Sequence, residues 1–491
     1  MSVVAWLPFL HRPLTPDESG FLLLGQHWAP GTSLYGDYWV DRPPLLIWLF
    51  SWAGGLGPTT VSSVGLTAPT VKLLGATASG VAVVLSGVLA VQVAPQARWA
   101  RRAAVVVAVA LLSDPLLGMP ETDGEVLAVP LVLLGLACLA GAMRTSRRRH
   151  AVLLTTIAGI AAMAAGLVKQ NVIDVFVFAL VLFVVSIGRV PDLRRRVAAF
   201  TLGSAAMLGA ALTASWLRGT SPAALWDAIV VFRAQAAHVI SASASAATPQ
   251  RMSHLVLASF GSGAALLLIA TAGHVLLRVV RDRGHAAGST AHQPGRGGLV
   301  LVWPTLAMVV WEVAAVALGG SYWLHYLTGL VPGLVVLVAL TRPHGWWRVA
   351  LTALVAYLAA ASLVVWAHEA VAPSSVSSEA SVAAYLRGHA RGGDGVVVTF
   401  GHPDIVAASG LHSPYEHLWS LPVRVRDPRL EELQQVLAGP AAPRWVVVSG
   451  ESIDSWGLDA RQAQHYLERH YVEQVSYGDW HVWQRQEGGD G

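Results

Sequence analysis

Charge is scarce in this chain. Only 13% of its 491 residues are Asp, Glu, Lys or Arg, about half the share of a soluble globular domain, while 54% are hydrophobic. That excludes an ordinary soluble enzyme and places the chain in the membrane class. Lysine occurs only at Lys72 and Lys169. Cysteine occurs once, as Cys138 inside an apolar run, so an intrachain disulfide is excluded and any domain outside the bilayer must hold together by packing. Familiar chemical signatures are missing as well: there is no His/Cys cluster at zinc spacing, no P-loop and no GxGxxG. The net charge is +4, and the basic residues lie in short clusters instead of along a continuous face, which argues against a nucleic-acid partner.

What is present is a succession of apolar runs. A helix needs about 20 residues to cross the hydrocarbon of a bilayer. Runs near that length lie around 70–94, 103–118, 126–143, 151–167, 172–188, 197–215, 256–279, 298–318, 325–340 and 349–367. The segment 44–58 is shorter, opens on Pro43-Pro44 and contains Gly54-Gly55, so it reads as an interfacial or re-entrant helix. Val3 to Leu10 is too short to cross; either the chain continues upstream or the first helix is a stub, and the loop-like stretch from His11, which needs an anchor, favours the former.

Orientation follows from arginine placement. Arg98/Arg101/Arg102, Arg144/Arg147/Arg148/Arg149, Arg189/Arg194/Arg195/Arg196, Arg278/Arg281/Arg283 and Arg342/Arg348 fall on alternate connections, which the positive-inside rule makes cytoplasmic. Loops 11–69, 119–125, 168–171, 216–255 and 319–324 then share the outer face with the tail. The expected fold is an α-helical polytopic membrane protein of about 11 spans, the first truncated, over residues 1–369. A small soluble α/β extracytoplasmic domain follows over 370–491. In that tail Val396–Val398 and Trp445–Val448 read as buried strands, 377–390 and 428–438 as helices, and Tyr471 to Gln484 as a hairpin. The Ser-Ala repeats of 241–250 read as a flexible polar loop suited to moving over a site.

Ionisable groups at membrane depth cost about 2.5–3.5 kcal/mol each on insertion scales, so those at outer helix ends need a reason. Asp17-Glu18 offers two adjacent carboxylates for general-base work or a metal; a helix N-cap by Thr15 or Asp17 explains the same residues. The run Tyr35-Gly36-Asp37-Tyr38-Trp39-Val40-Asp41-Arg42-Pro43-Pro44 sets Arg42 where it can grip a phosphate bidentately, though an aromatic belt with a snorkelling arginine looks alike. Glu121-Thr122-Asp123-Gly124-Glu125 opens the helix 126–143, where acids also simply complement the macrodipole. Lys169-Gln170-Asn171 ends one span, and Tyr322, His325 and Tyr326 open another; a lone His there is more often a satisfied interface residue than a catalyst. His11, His27 and the acids can form a metal site, but nothing in their spacing demands one.

Taken in order, these pieces resemble the GT-C superfamily of polyprenyl-phosphate-sugar-dependent glycosyltransferases, nearest the protein O-mannosyltransferase and lipid A aminoarabinose transferase families. The Asp-Glu pair after the first span matches Asp17-Glu18. The Gly-Asp-x-x followed by Lys-Pro-Pro-Leu matches Gly36-Asp37-Tyr38-Trp39 and Arg42-Pro43-Pro44-Leu45, with arginine in place of the usual lysine. A later acid fits Glu125, a lysine ending an outer span fits Lys169, and the His-Tyr of a late helix fits His325-Tyr326 with Pro332. The tail's Gly401-His402-Pro403-Asp404-Ile405 and Ser409-Gly410 look like the family's outer domain. The likeness covers nearly the whole chain, except that the first span is almost absent.

The resemblance implies a membrane glycosyltransferase that moves a sugar from a polyprenyl-phosphate donor to an acceptor hydroxyl on the outer face, with inversion. Asp17 would be the base, with Glu18 and Glu125 completing the catalytic set and Glu125 orienting the acceptor or Glu18. Arg42, helped by Lys169 or Tyr326, would hold the departing phosphate, and Asp37 and His325 complete the substrate-binding set. The resemblance requires no cofactor and leaves a divalent metal open. The partners implied are the lipid-linked sugar, membrane lipids and a glycan, lipid or protein acceptor. A transporter or flippase of a lipid-linked sugar is the main rival; it predicts internal repeats and helices broken near mid-membrane, and no repeat is found. A non-catalytic anchor for a partner-binding outer domain is the third reading.

Overall fold

The computed structural model of the chain describes residues 2–242, 247–286, 299–373, 375–453 and 458–486. These fold into two compact units. One gathers Met1–Phe9, Lys72–Ala211 and Ala246–Ala372; the other gathers Leu10–Val71, Leu212–Ser245 and Pro373–Gly491.

Among the described residues seven helices are long and apolar enough to cross a membrane: Pro69–Val93, Gly124–Arg144, Arg148–Val168, Leu193–Leu217, Pro222–Ile240, Ala264–Arg281 and Gly345–Val371. Pro44–Gly55, Asp174–Val185, Val302–Ala317 and Leu324–Leu340 are apolar but shorter. This is a membrane protein. In the first unit the helices pack through small residues, as they do where lipid removes the hydrophobic drive for association. Gly159 and Gly203 let the helices Arg148–Val168 and Leu193–Leu217 touch backbone to backbone. A Cβ on Gly159 would fall 2.1 Å from the Phe200 carbonyl oxygen, and one on Gly203 2.3 Å from that of Thr156. The Ser204 hydroxyl donates to the Gly159 carbonyl at 3.0 Å across the same seam.

Three expectations change. The apolar run 256–279 is not one span: it divides between Ala247–Gly261 and Ala264–Ala286. Buried Ser262 and Gly263, at φ +81°, end the first helix in the left-handed conformation that only glycine adopts without strain. The segment 216–255 is not a loop, because Pro222–Trp226, a π-helical turn and Phe232–Ala242 run on as helix. Residues 243–246 of the expected mobile loop 241–250 lie outside the described residues, and its flanks, Phe232–Ala242 and Ala247–Gly261, are helical. The run 325–340 forms a 3-10 stretch, Leu324–Leu330, before the α-helix Val331–Leu340 takes over at Pro332.

The second unit carries the four-stranded sheet. Val396–Thr399 lies parallel to Trp445–Ser449, which pairs antiparallel with Trp480–Arg485, itself paired with Tyr471–Tyr477. Four consecutive valine-rich positions on each parallel strand are buried, as expected of strands covered on both faces. The helices Ser378–His389 and Glu431–Ala438 form where the sequence places them, and Pro403–Ser409, Ser420–Arg426 and Arg461–His470 add to them. His402 lies 3.4 Å from Asp404. Burial pulls its imidazole down, but the Asp404 and Glu379 carboxylates outweigh that and its pKa ends above the usual value.

The helix Pro16–His27, from the first loop, packs in this same unit against Pro403–Ser409. Gly20 is the contact point. A Cβ there would meet Trp419 Cζ2 at 2.4 Å and Pro403 Cγ at 2.7 Å, both parts of stiff rings. Gly20→Ala is therefore expected to destabilise by about 1–3 kcal/mol despite alanine's better helix propensity. A lowered thermal midpoint would bear this out, and an unchanged or raised one would count against the packing described.

Candidate active site

In the first unit the acids of Glu121-Thr122-Asp123-Gly124-Glu125 divide their work. Asp123 caps the helix Gly124–Arg144, its carboxylate accepting from the Val126 N–H at 2.9 Å. Glu125, in the first turn of that helix, is buried and takes the Lys169 ammonium on one carboxylate oxygen. Lys169 stands at the C-cap of Arg148–Val168, so the pair joins the start of one helix to the end of the next. The same ammonium lies 4.8 Å from the centre of the Tyr326 ring. His325 places Nδ1 3.4 Å from Glu121 and 3.5 Å from Asp123. Glu125, Lys169, His325 and Tyr326, predicted from three separate segments, are thus drawn into one cluster.

Beside the cluster opens a cleft lined by Glu125, Asn171, Asp174, Trp311, Glu312 and Tyr326. Asp174 and Glu312 are buried next to one another, and Glu312 accepts from the Gly333 N–H at 2.9 Å. The sequence reading missed both. The signal was available, since Asp174 opens the apolar helix Asp174–Val185 and Glu312 lies inside Val302–Ala317, where a charge is costly.

In the second unit Asp17 and Glu18 part company. Glu18 is fully buried and completes a capping box: the Thr15 N–H donates to its carboxylate at 2.9 Å, while its own N–H donates to the Thr15 hydroxyl at 3.3 Å. Thr15 is the cap, and the helix starts at Pro16. Asp17 instead accepts from the indole N–H of Trp419 at 2.8 Å, and Trp419 stacks on Phe21, with ring centres 5.7 Å apart. Trp419, some 400 positions along the chain, carried no local signal that it would meet Asp17.

The loop 31–42 turns through short bridges, Ser33 to Gly36 and Tyr35 to Tyr38. It is tied to the segment 412–417: the Ser413 N–H donates to the Tyr38 hydroxyl at 3.1 Å, and the Trp39 N–H to the Glu416 carbonyl at 3.1 Å. Asp37 is half-exposed and faces His412 at 3.4 Å. Arg42 donates to Asp41 at 3.0 Å, and Asp41 also receives Arg233 at 2.8 Å. Arg233 lies in what the sequence suggested was a loop; as part of Phe232–Ala242 it supplies a second cation there.

Two groups among the described residues have the donor types and spacing to hold a metal: Glu121, Asp123 and His325, and Glu416, His417 and Glu432. Neither includes His11, His27, Asp17 or Glu18, so a site built from those residues is not what the structure assembles.

No family model and no curated protein matches this chain by sequence. Its fold is nevertheless shared with solved structures of other proteins. ArnT from Cupriavidus metallidurans in the apo state matches with a TM-score of 0.64 at 12% identity, covering 98% of this chain and 95% of that one. ArnT bound to undecaprenyl phosphate gives a TM-score of 0.57 at 12% identity, covering 100% and 97%. The archaeal oligosaccharyltransferase AglB from Archaeoglobus fulgidus, in complex with an inhibitory peptide and a dolichol-phosphate, gives 0.51 at 12% identity, covering 100% of this chain and 74% of that one.

Proposed function

We propose that this chain is a membrane glycosyltransferase that moves a sugar from a polyprenyl-phosphate donor to an acceptor hydroxyl on the outer membrane face, with inversion at the anomeric carbon. The observation that carries this reading is the end-to-end likeness to ArnT, whose structure holds undecaprenyl phosphate. It is supported by the buried ionisable groups Glu125 and Lys169 at helix ends, beside the cleft. The tail from about residue 370 is extracytoplasmic in this reading, because the arginine clusters occupy the opposite connections.

Asp17 is the general base. The Trp419 N–H occupies one carboxylate oxygen and fixes the group's direction, leaving the other to take the acceptor's proton. Glu18 serves Asp17 by holding the helix start through its capping box. Arg42 holds the departing lipid phosphate by charge-assisted hydrogen bonds, and Lys169, with Tyr326 beside it, is a phosphate-binding residue in this reading. Glu125 keeps Lys169 in place, and Asp37 is a substrate-binding residue. The His325 imidazole and the Glu121 and Asp123 carboxylates fit a divalent ion, which would supply charge neutralisation for a phosphate. The acceptor is a glycan, a lipid or a protein.

Purified protein in detergent, given a panel of radiolabelled polyprenyl-phosphate sugars and a membrane extract, is expected to consume one donor. Arg42→Ala is expected to raise the donor KM at least about tenfold, since a charge-assisted contact is worth roughly 1.5–3 kcal/mol. Binding of a donor with no consumption would instead move the chain to the transporter class. Trp419→Phe keeps the ring on Phe21 but removes the N–H. It is expected to lower kcat about tenfold while leaving the donor KM unchanged, with partial recovery in Trp419→His. A parallel rise in KM would make Trp419 a packing residue only.

A further inference from the structure

Independently of that reading, the geometry points to a second chemical centre: we propose that Glu416, His417 and Glu432 bind a divalent transition-metal ion, zinc the best fit, with one coordination position left open. Glu416 and His417 precede the helix Ser420–Arg426, and Glu432 sits in the first turn of Glu431–Ala438. One donor atom from each residue lies within 4.8 Å of the others. His417 Nε2 is 3.5 Å from a Glu416 oxygen and 3.8 Å from a Glu432 oxygen. Both separations exceed an ordinary hydrogen bond. The first falls within the ligand-to-ligand spacing around a tetrahedral ion, about 3.3–3.6 Å for bonds of roughly 2.0–2.2 Å, and the second lies about 0.2 Å beyond it.

The imidazole is the second observation. The His417 side chain is only 3% exposed, its Nδ1 has no hydrogen-bond partner among the described residues, and its Nε2 points between two carboxylates at 3.5 and 3.8 Å. A buried ring held by Trp39 on one side and Tyr415 on the other is fixed in direction, which is what a ligand needs. The two carboxylates are partly exposed, at 30% and 45%, so the ion has an entry path and room for water at a fourth position. One imidazole and two carboxylates suit zinc, with manganese as the harder alternative. The ion would cross-link the segment that carries Trp419 to the helix behind it.

The test uses the full chain in detergent, stripped with chelator and titrated with zinc chloride. Bound zinc per chain is measured by mass spectrometry after desalting, and thermal midpoints are taken with and without the ion. Glu432→Gln, at a partly exposed position, is expected to melt like wild type without zinc, to lose one equivalent or raise the dissociation constant at least tenfold, and to lose the zinc-dependent rise in midpoint. His417→Gln should behave alike. Glu121→Gln, which alters only the other candidate cluster, should keep the equivalent that Glu432→Gln loses. Unchanged zinc stoichiometry and affinity in Glu432→Gln, or a wild type whose only equivalent disappears in Glu121→Gln, would overturn the proposal. None of these readouts depends on sugar transfer, so failure here and failure of the glycosyltransferase reading are separable.

Discussion

Asp17→Asn is expected to lower sugar transfer by about 10²–10⁴-fold, the usual worth of a positioned general base, while leaving donor binding intact. Asparagine has nearly the same shape, and its amide oxygen can still accept the Trp419 N–H that Asp17 accepts at 2.8 Å. The helix start is untouched, because the capping box belongs to Thr15 and Glu18. What the substitution removes is the second oxygen's ability to take a proton. Single-turnover transfer from a labelled donor, beside a donor-binding assay, separates chemistry from affinity. A variant that transfers like wild type would transfer the base role elsewhere, first to Glu125, since Glu18 is committed to its cap.

Lys169→Met should have the other large effect, and on stability before activity. The ammonium is buried with the Glu125 carboxylate, so its removal leaves a buried carboxylate without its ion-pair partner. Breaking one side of such a pair costs about 3–5 kcal/mol, whereas replacing both sides with neutral groups of similar size is often tolerated. Lys169→Met alone is expected to unfold at markedly lower temperature, and the double variant Lys169→Met/Glu125→Gln to recover much of that loss. Activity should stay low in both, because the cation is gone. A single variant as stable as wild type would show that the pair contributes little. A double variant regaining transfer would remove Lys169 from the phosphate-binding role.

How much of this was legible beforehand depended on the distance over which each signal acts. Apolar runs such as 126–143 and 151–167 became helices nearly as read, because the bilayer's thickness and the need to satisfy every backbone group impose a span on any such run. The buried strands at 396–399 and 445–449 and the terminal hairpin also emerged where their short apolar patterns lay. The run 256–279 failed because hydropathy averages over Ser262-Gly263, whereas a helix ends on one backbone conformation. The segment 216–255 failed because its polar residues suggested a loop, although Pro222 at a helix start and a long alanine-rich stretch support helix.

By itself the sequence determined that this is a membrane protein with a small α/β tail, and it singled out several costly side chains while passing over Asp174 and Glu312. Composition and periodicity act residue by residue, so they survive without knowledge of what lies opposite. The tertiary structure alone decided how those side chains are spent. It committed Glu18 to a helix cap, gave Asp17 to an indole 402 positions away, joined Glu125 to Lys169, and set His417 between two glutamates. Each assignment depends on which segments pack together, and hydrogen bonds and ion pairs form at a few ångströms whatever the separation along the chain.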